Sequence, residues 1–227
     1  MSIQQREFSR FVKLLYDNDC LEHVVLIGSW AEFVYQETGL LKGFEPNIKT
    51  MDMDFLIKNL RKPLPEKNLA GLARDEGYLI ESDVLTGVTK IYDKSGLEIE
   101  FLIGKKGAGI EPSLKTNLGV TAQALRHTEV ILHNTVDVEY FGMTLTVPTP
   151  EAYAVHKITI NQERGSKMEK DQLAIDNIWS SLNIREVERI AETLTKKDQK
   201  TFEKYCVEHD LKYVLPRKRE REPELER

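Results

Sequence analysis

Two aspartates in the stretch MDMDFLI, Asp52 and Asp54, alternate with Met51, Met53 and Phe55. Side chains of an extended chain point to opposite faces in turn. The carboxylates therefore share one face about 7 Å apart, and the apolar residues take the other. Mg²⁺ favours one or two carboxylates together with phosphate oxygens and water, and ions about 3.5–4 Å apart suit in-line phosphoryl chemistry. Considered alone, the pair fits a water-facing strand as well as a metal shelf. A second stretch, LEIEFLIG, carries Glu98 and Glu100 on one face, opposite Leu97, Ile99 and Phe101. If the two strands lie side by side, one glutamate joins the aspartates. Glu100 is the choice, because IEFL around it echoes MDFL around Asp54. Glu98 stays open as the alternative, and a neighbouring lysine would neutralise either without a metal. Upstream, HVVLIG runs into Ser29. Gly28 and Ser29, at a strand-to-helix turn, offer backbone N–H groups, a hydroxyl and the positive end of a helix dipole, which together bind anions. Serine at a helix start is also common for structural reasons alone.

The elements that must position these groups follow from periodicity. Phe8, Phe11, Val12, Leu14 and Leu15 recur at helical spacing over residues 4–19. A buried strand is expected from His23 to Gly28, a helix from Ser29 stopped by Gly39, a loop over Leu40–Lys49 and a strand over Met53–Ile57. KPLPEKN breaks the chain before a short helix over Leu69–Glu76, ended by Gly77. YLIES, GVTKIYD and LEIEFLIG read as a meander, KKGAGIEPSLKTNLG as a polar loop, and EVILHN, VDVEYFG and MTLTVP as further β segments. Helical spacing returns over Pro150–Gln162, Glu169–Leu182, Ile184–Leu194 and Asp198–His209. The organisation is a mixed α+β body over 1–147, a helical part over 148–215 and a charged tail over 216–227 that is expected to be disordered.

Composition narrows the function classes. The chain has 227 residues, 41% of them hydrophobic, enough to close a core. A net charge of −5 excludes a global basic surface for duplex nucleic acid, while Lys105, Lys106, Lys167 and Lys170 leave a local patch. Cys20 and Cys206 form no CxxC spacing, which suits a reducing cytoplasm. The five histidines, His156 among them, show no HxH or HxxxH pairing, so a histidine-based metal site is not expected. Ser29 does not sit in a GxSxG elbow. The polar N-terminus and the lack of a long apolar run give a cytoplasmic protein without a membrane partner as the expectation.

The ordered set IGSW, TMDMDFLI and LEIEFLIG resembles the polymerase-beta-type nucleotidyltransferase superfamily. Its members carry Gly-Ser or Gly-Gly at a strand-to-helix turn, Asp-x-Asp on the next strand and a third acid later. Thr50 ahead of Asp52 is similar to the Thr-x-Asp-x-Asp-Phe form of the bacterial abortive-infection, toxin-like branch. VPTPEAYAVHKITINQERGSKMEKDQ resembles the stretch that follows the catalytic sheet in that branch. The resemblance implies a mixed sheet flanked by helices and Mg²⁺-dependent transfer of a nucleoside monophosphate from an NTP. Asp52, Asp54 and Glu100 would be the catalytic, metal-holding acids, with two Mg²⁺ ions and Mn²⁺ as a substitute. Gly28, Ser29 and Lys157 would meet the triphosphate, and Asp171 the nucleotide or an active-site partner. Lys157, Arg164 and Asp171 lie seven residues apart and would share a face of one continuous helix, which Gly165 and Ser166 are expected to interrupt. The NTP is open, and so is the acceptor among a tRNA end, a protein hydroxyl and a small molecule. A toxin-like role would imply an antitoxin-like protein partner. The alternative is a nucleotide-binding module without catalysis.

Overall fold

The computed structural model describes residues 2–46, 51–105 and 111–211. Thr50, Lys106 and the tail expected to be disordered lie outside the described residues. A capping box opens α1 (Ile3–Asp17): the Gln5 amide donates to Ser2 Oγ at 3.1 Å, and the Ser2 amide donates to Gln5 Oε1 at 2.7 Å. After a short 3-10 turn the chain forms β1 (Val24–Ile27), α2 (Ser29–Thr38) and β2 (Asp52–Ile57). Then follow α3 (Leu69–Asp75), β3 (Leu79–Ser82), β4 (Thr89–Tyr92) and β5 (Glu98–Gly104). A small hairpin, β6 (Ser113–Lys115) and β7 (Thr121–Leu125), leads through the one-turn α4 (Glu129–Leu132) to a second hairpin, β8 (Thr135–Tyr140) and β9 (Met143–Pro148). Four helices complete the chain: α5 (Pro150–Ile160), α6 (Met168–Trp179), α7 (Ile184–Glu192) and α8 (Lys196–Glu208).

The main sheet runs β1-β2-β5-β4-β3, with β1 antiparallel to β2 and β2 parallel to β5. The far edge of β5 is shared. Its residues 98–100 pair with β4, and its residues 102–104 pair with β7. Met53, Phe55, Ile99 and Phe101 are fully buried on the back of β2 and β5, where Phe11 of α1 meets Phe55 at 5.9 Å and Phe101 at 6.4 Å between ring centroids. With that face closed, pleating turns Asp52, Asp54, Glu98 and Glu100 to the front. Phe8 stacks on Trp30 at 4.6 Å, which ties α1 to α2.

α5 roofs the front face. Thr149 caps it by accepting from the Ala152 amide at 3.2 Å, and Pro150 takes the first turn, where its missing N–H costs nothing. Residues 152–159 are buried throughout, because α5 packs on β9 and on α6, α7 and α8. No helix among the described residues is long and apolar enough to cross a membrane.

Two expectations are corrected. EVILHN is not a strand: residues 129–132 form α4, with Val130 and Ile131 buried. A short apolar run of this kind carries no period that separates strand from helix. The stretch expected as a polar loop contains β6, and TAQAL, unassigned by periodicity, forms β7. Ala122 is its one buried position, too little apolar content to mark a strand by alternation. The two 3-10 turns at Asn161–Glu163 and Gly165–Lys167 separate α5 from α6 where Gly165 and Ser166 predicted a break.

Removing the Phe8 ring should cost about 3–5 kcal/mol, the range for a large aromatic cut to alanine in a core. Urea denaturation of Phe8→Ala followed by circular dichroism checks this. A loss below about 1 kcal/mol would show that the stack on Trp30 does not fix α1.

Candidate active site

The parallel register of β2 and β5 sets Asp52 beside Glu98 and Asp54 beside Glu100. Neighbouring strands run about 4.8 Å apart, so four carboxylates occupy a small area of one face. Lys90, on β4 opposite Glu100, bridges the two glutamates: its Nζ lies 2.5 Å from Glu98 Oε1 and 3.3 Å from Glu100 Oε1. The Tyr92 hydroxyl also donates to Glu98 Oε1 at 3.3 Å. Glu98 is thereby occupied on the β4 side, while Glu100 lines a cleft with Asp52, Asp54, Gly28 and Ser29. Burial, and then the charges of Glu100 and Asp52, push the Asp54 carboxyl up to about 6, against the pull of Lys167 and Arg164. Burial and then Glu98 also raise Glu100, with Lys90 opposing.

Gly28 closes the turn between β1 and α2 with φ of +70°, in the region that favours glycine. A Cβ there would stand 2.5 Å from Asp54 Oδ2, so glycine is also what lets the backbone approach that carboxylate. Gly28 occupies the N-cap of α2 and Ser29 is its first helical residue, so Ser29 is not itself the cap. Both residues line the cleft at the positive end of α2.

The roof brings the cations. Lys157 Nζ donates to Asp171 Oδ1 at 2.5 Å, and Arg164 Nε donates to Asp171 Oδ2 at 2.9 Å. The three residues meet across the 3-10 turns rather than along one helix. Asp171 is 1% exposed and Lys157 7%, so a buried ion pair at the cleft wall is joined by the partly exposed Arg164. Lys157 also lies 5.1 Å from the centroid of the Tyr153 ring. Lys167 reaches Asp52 Oδ2 at 3.2 Å, and Lys170 lines the same cleft. Every proposed site residue therefore borders one cleft: Gly28, Ser29, Asp52, Asp54, Glu100, Lys157 and Asp171. Sequence reasoning allowed a lysine beside the glutamates without identifying Lys90, and it missed the Lys167–Asp52 contact and His156 in the wall. Lys90 stands at an alternating position of GVTKIYD, but its partner depends on a register that one strand's sequence does not contain.

Among the described residues, no three acid, imidazole or thiol groups form a closed metal-ligand set. Asp52 and Asp54 nevertheless suit Mg²⁺, which needs one or two carboxylates and completes its shell with phosphate and water. Burial comes first in raising Asp54, and the repulsion by Glu100 and Asp52 that adds to it is what a bound cation would relieve.

A mixed sheet with paired acids, a Gly-Ser turn at a helix N-terminus and a helical layer over the cleft defines a nucleotidyltransferase-like fold. A family model described as nucleotidyltransferase matches residues 6–193, and the chain belongs to that family. Among solved structures, the chain is similar to an antigenic nucleotidyltransferase-like protein from Paracoccidioides brasiliensis. That match has 15% identity and a TM-score of 0.51, and it covers 89% of this chain and 86% of the other, which supports the fold. No curated protein matches the chain. Family and fold together give transfer of a nucleoside monophosphate as the general class of reaction.

Two outcomes follow from the charges. An acid held up to about 6 in the folded protein destabilises it progressively as pH rises from about 4 through 6. In metal-free buffer at pH 7.5, Asp54→Asn should therefore stabilise the protein by on the order of 1–2 kcal/mol, less than full burial would give because cleft solvent screens the charge. The gain should vanish near pH 4, and thermal melts across that range check it. Asp171→Ala should instead cost about 3–5 kcal/mol, since it strands the buried Lys157 without its counter-ion. Chemical denaturation with unchanged stability would remove the triad from the wall's support.

Proposed function

We propose that the chain is a Mg²⁺-dependent nucleotidyltransferase that moves a nucleoside monophosphate from an NTP to an acceptor hydroxyl. The observation that carries this reading is the convergence of Asp52, Asp54 and Glu100 on one cleft with the Gly28–Ser29 turn and the Lys157–Arg164–Asp171 triad. Asp52 and Asp54 would hold the metal; when bound, Mg²⁺ supplies charge neutralisation at the phosphates. The backbone N–H groups at the start of α2 bind phosphate oxygens, and Arg164, Lys167 and Lys157 balance their charge. The acceptor oxygen attacks the α-phosphorus and forms a new P–O bond. The bond from the α-phosphorus to the bridging oxygen breaks, and pyrophosphate leaves. Glu100, across the register from Asp54, takes the acceptor's proton. Catalysis here rests on positioning and electrostatics rather than on a covalent enzyme intermediate.

A tRNA end, a protein hydroxyl or a small molecule suits this core as acceptor, and a toxin-like role with a protein antitoxin belongs to the same reading. One observation favours a nucleotide-binding module without catalysis instead: Lys90 engages both glutamates, as a permanent counter-ion would. Incubation with α-labelled NTPs, Mg²⁺ and cell extract separates the two. Label should pass to an acceptor at least about 10²-fold faster with the native protein than with Asp52→Asn or Asp54→Asn, and chelation should abolish it. Equal labelling by all forms would overturn the metal assignment. Mg²⁺-dependent NTP binding with no transfer would favour the binding module.

A further inference from the structure

The cleft floor changes character along β5. On β5 the front-face positions run from Glu100 to Leu102, and Leu102 pairs with Gln123 of β7. The floor thus passes from carboxylates to an aliphatic surface with one amide, continued by Leu125. His156 and Ile160 of α5 and Ile131 of α4 line the same cleft. His156 is 8% exposed, and its Nε2 has no hydrogen-bond partner among the described residues. The Trp30 and Trp179 indole nitrogens and the Tyr78 and Tyr205 hydroxyls lack partners as well, but none of these residues lines the cleft. Burial, and then the charges of Lys157 and Arg164, lower the His156 pKa to about 3, so the ring is neutral at physiological pH. A neutral imidazole is a poor phosphate ligand, and it presents one donor or one acceptor to a neutral polar group.

We propose that the His156 imidazole and the Gln123 amide read the edge of the NTP's nucleobase, whose plane rests on Leu102, Leu125 and Ile160, with a turn of the ring bringing Nε2 from the wall into the cleft. The inference depends on the nucleotide reading above and adds where the base lies and what selects it. A nucleobase is flat and apolar on its faces and carries neutral donors and acceptors on its rim, which matches this end of the cleft. The triphosphate then lies toward the α2 turn and the acids, where the cations are. His156 is a specificity-determining residue in this arrangement, and its buried nitrogen acquires a partner when nucleotide binds.

The test compares binding of ATP, GTP, CTP, UTP and inorganic tripolyphosphate, each with Mg²⁺, by calorimetry. Native protein, His156→Leu and His156→Gln are measured. The native protein should prefer one or two bases. His156→Leu should reduce that preference by about five- to tenfold, the range for one lost neutral hydrogen bond, and leave tripolyphosphate affinity within about twofold. His156→Gln, which keeps a polar group at a similar reach, should restore part of the preference. His156→Leu should melt no lower than the native protein, because it replaces an unpartnered buried nitrogen with an apolar group of similar size. An unchanged preference in His156→Leu, or an equal loss for tripolyphosphate, would overturn the inference. So would a native protein that binds all four NTPs alike, although the nucleotide site would then stand. Native protein that binds neither NTPs nor tripolyphosphate would overturn the nucleotide reading and this inference with it.

Discussion

The in-register parallel pairing of β2 with β5 places Asp52 beside Glu98 and Asp54 beside Glu100, and the rest of the structure answers to that placement. Two like charges about 5 Å apart at an effective dielectric of 20 repel by roughly 3 kcal/mol. A sheet that carries two such pairs holds together only if positive charge reaches the same face from other elements. It arrives from three directions: Lys90 from β4, Lys167 from the turn that follows α5, and the N-terminus of α2 behind Gly28. The compensation is uneven. Glu98 is closely bound by Lys90, whereas Asp54 keeps a proton to about pH 6.

This dependence couples the helical layer to the sheet. Asp171 of α6 holds Lys157 of α5 and Arg164 between them, so the cations at the wall keep fixed positions. A buried pair adds little net stability over apolar packing, but its geometry is costly to disturb, which makes it suited to fixing where charge sits. The same carboxylate also limits what Lys157 can do alone. One carboxylate serves two cations, Lys157 and Arg164, so the pair keeps a net positive charge at the wall, to which Lys167 adds its own beside Asp52.

Much of this was legible in the sequence. The alternation in MDMDFLI and LEIEFLIG fixed which residues face the cleft, because one face of each strand is wholly apolar. Gly28 and Ser29 were legible because a strand ending in Gly-Ser leaves few other local geometries. What was not legible depends on pairing between distant segments. Lys90 finds its glutamates through the β4–β5 register, and Lys167 reaches Asp52 across 115 residues. EVIL was misread for a different reason: four residues are too few to show a period, and tertiary packing of Val130 and Ile131 decided for helix.

Two departures from ordinary stabilising design line the cleft. Asp54 is a carboxyl crowded by its neighbours, and His156 is a buried imidazole with an unmatched nitrogen. Each costs folding free energy, and each would be removed by a neutral or apolar residue of similar size. Trp30 and Tyr205 also carry unmatched polar atoms, but their large rings bury enough apolar surface to outweigh one lost hydrogen bond. His156 has no such excess, since a leucine would fill its place at less cost. Local rules broken without a compensating gain in the folded chain are expected where a ligand supplies the missing partner. A cation would complete the acidic end and a nucleobase rim the aliphatic end. On the reading proposed above, one molecule with a charged end and a flat neutral end, a nucleotide with its metal, would satisfy both.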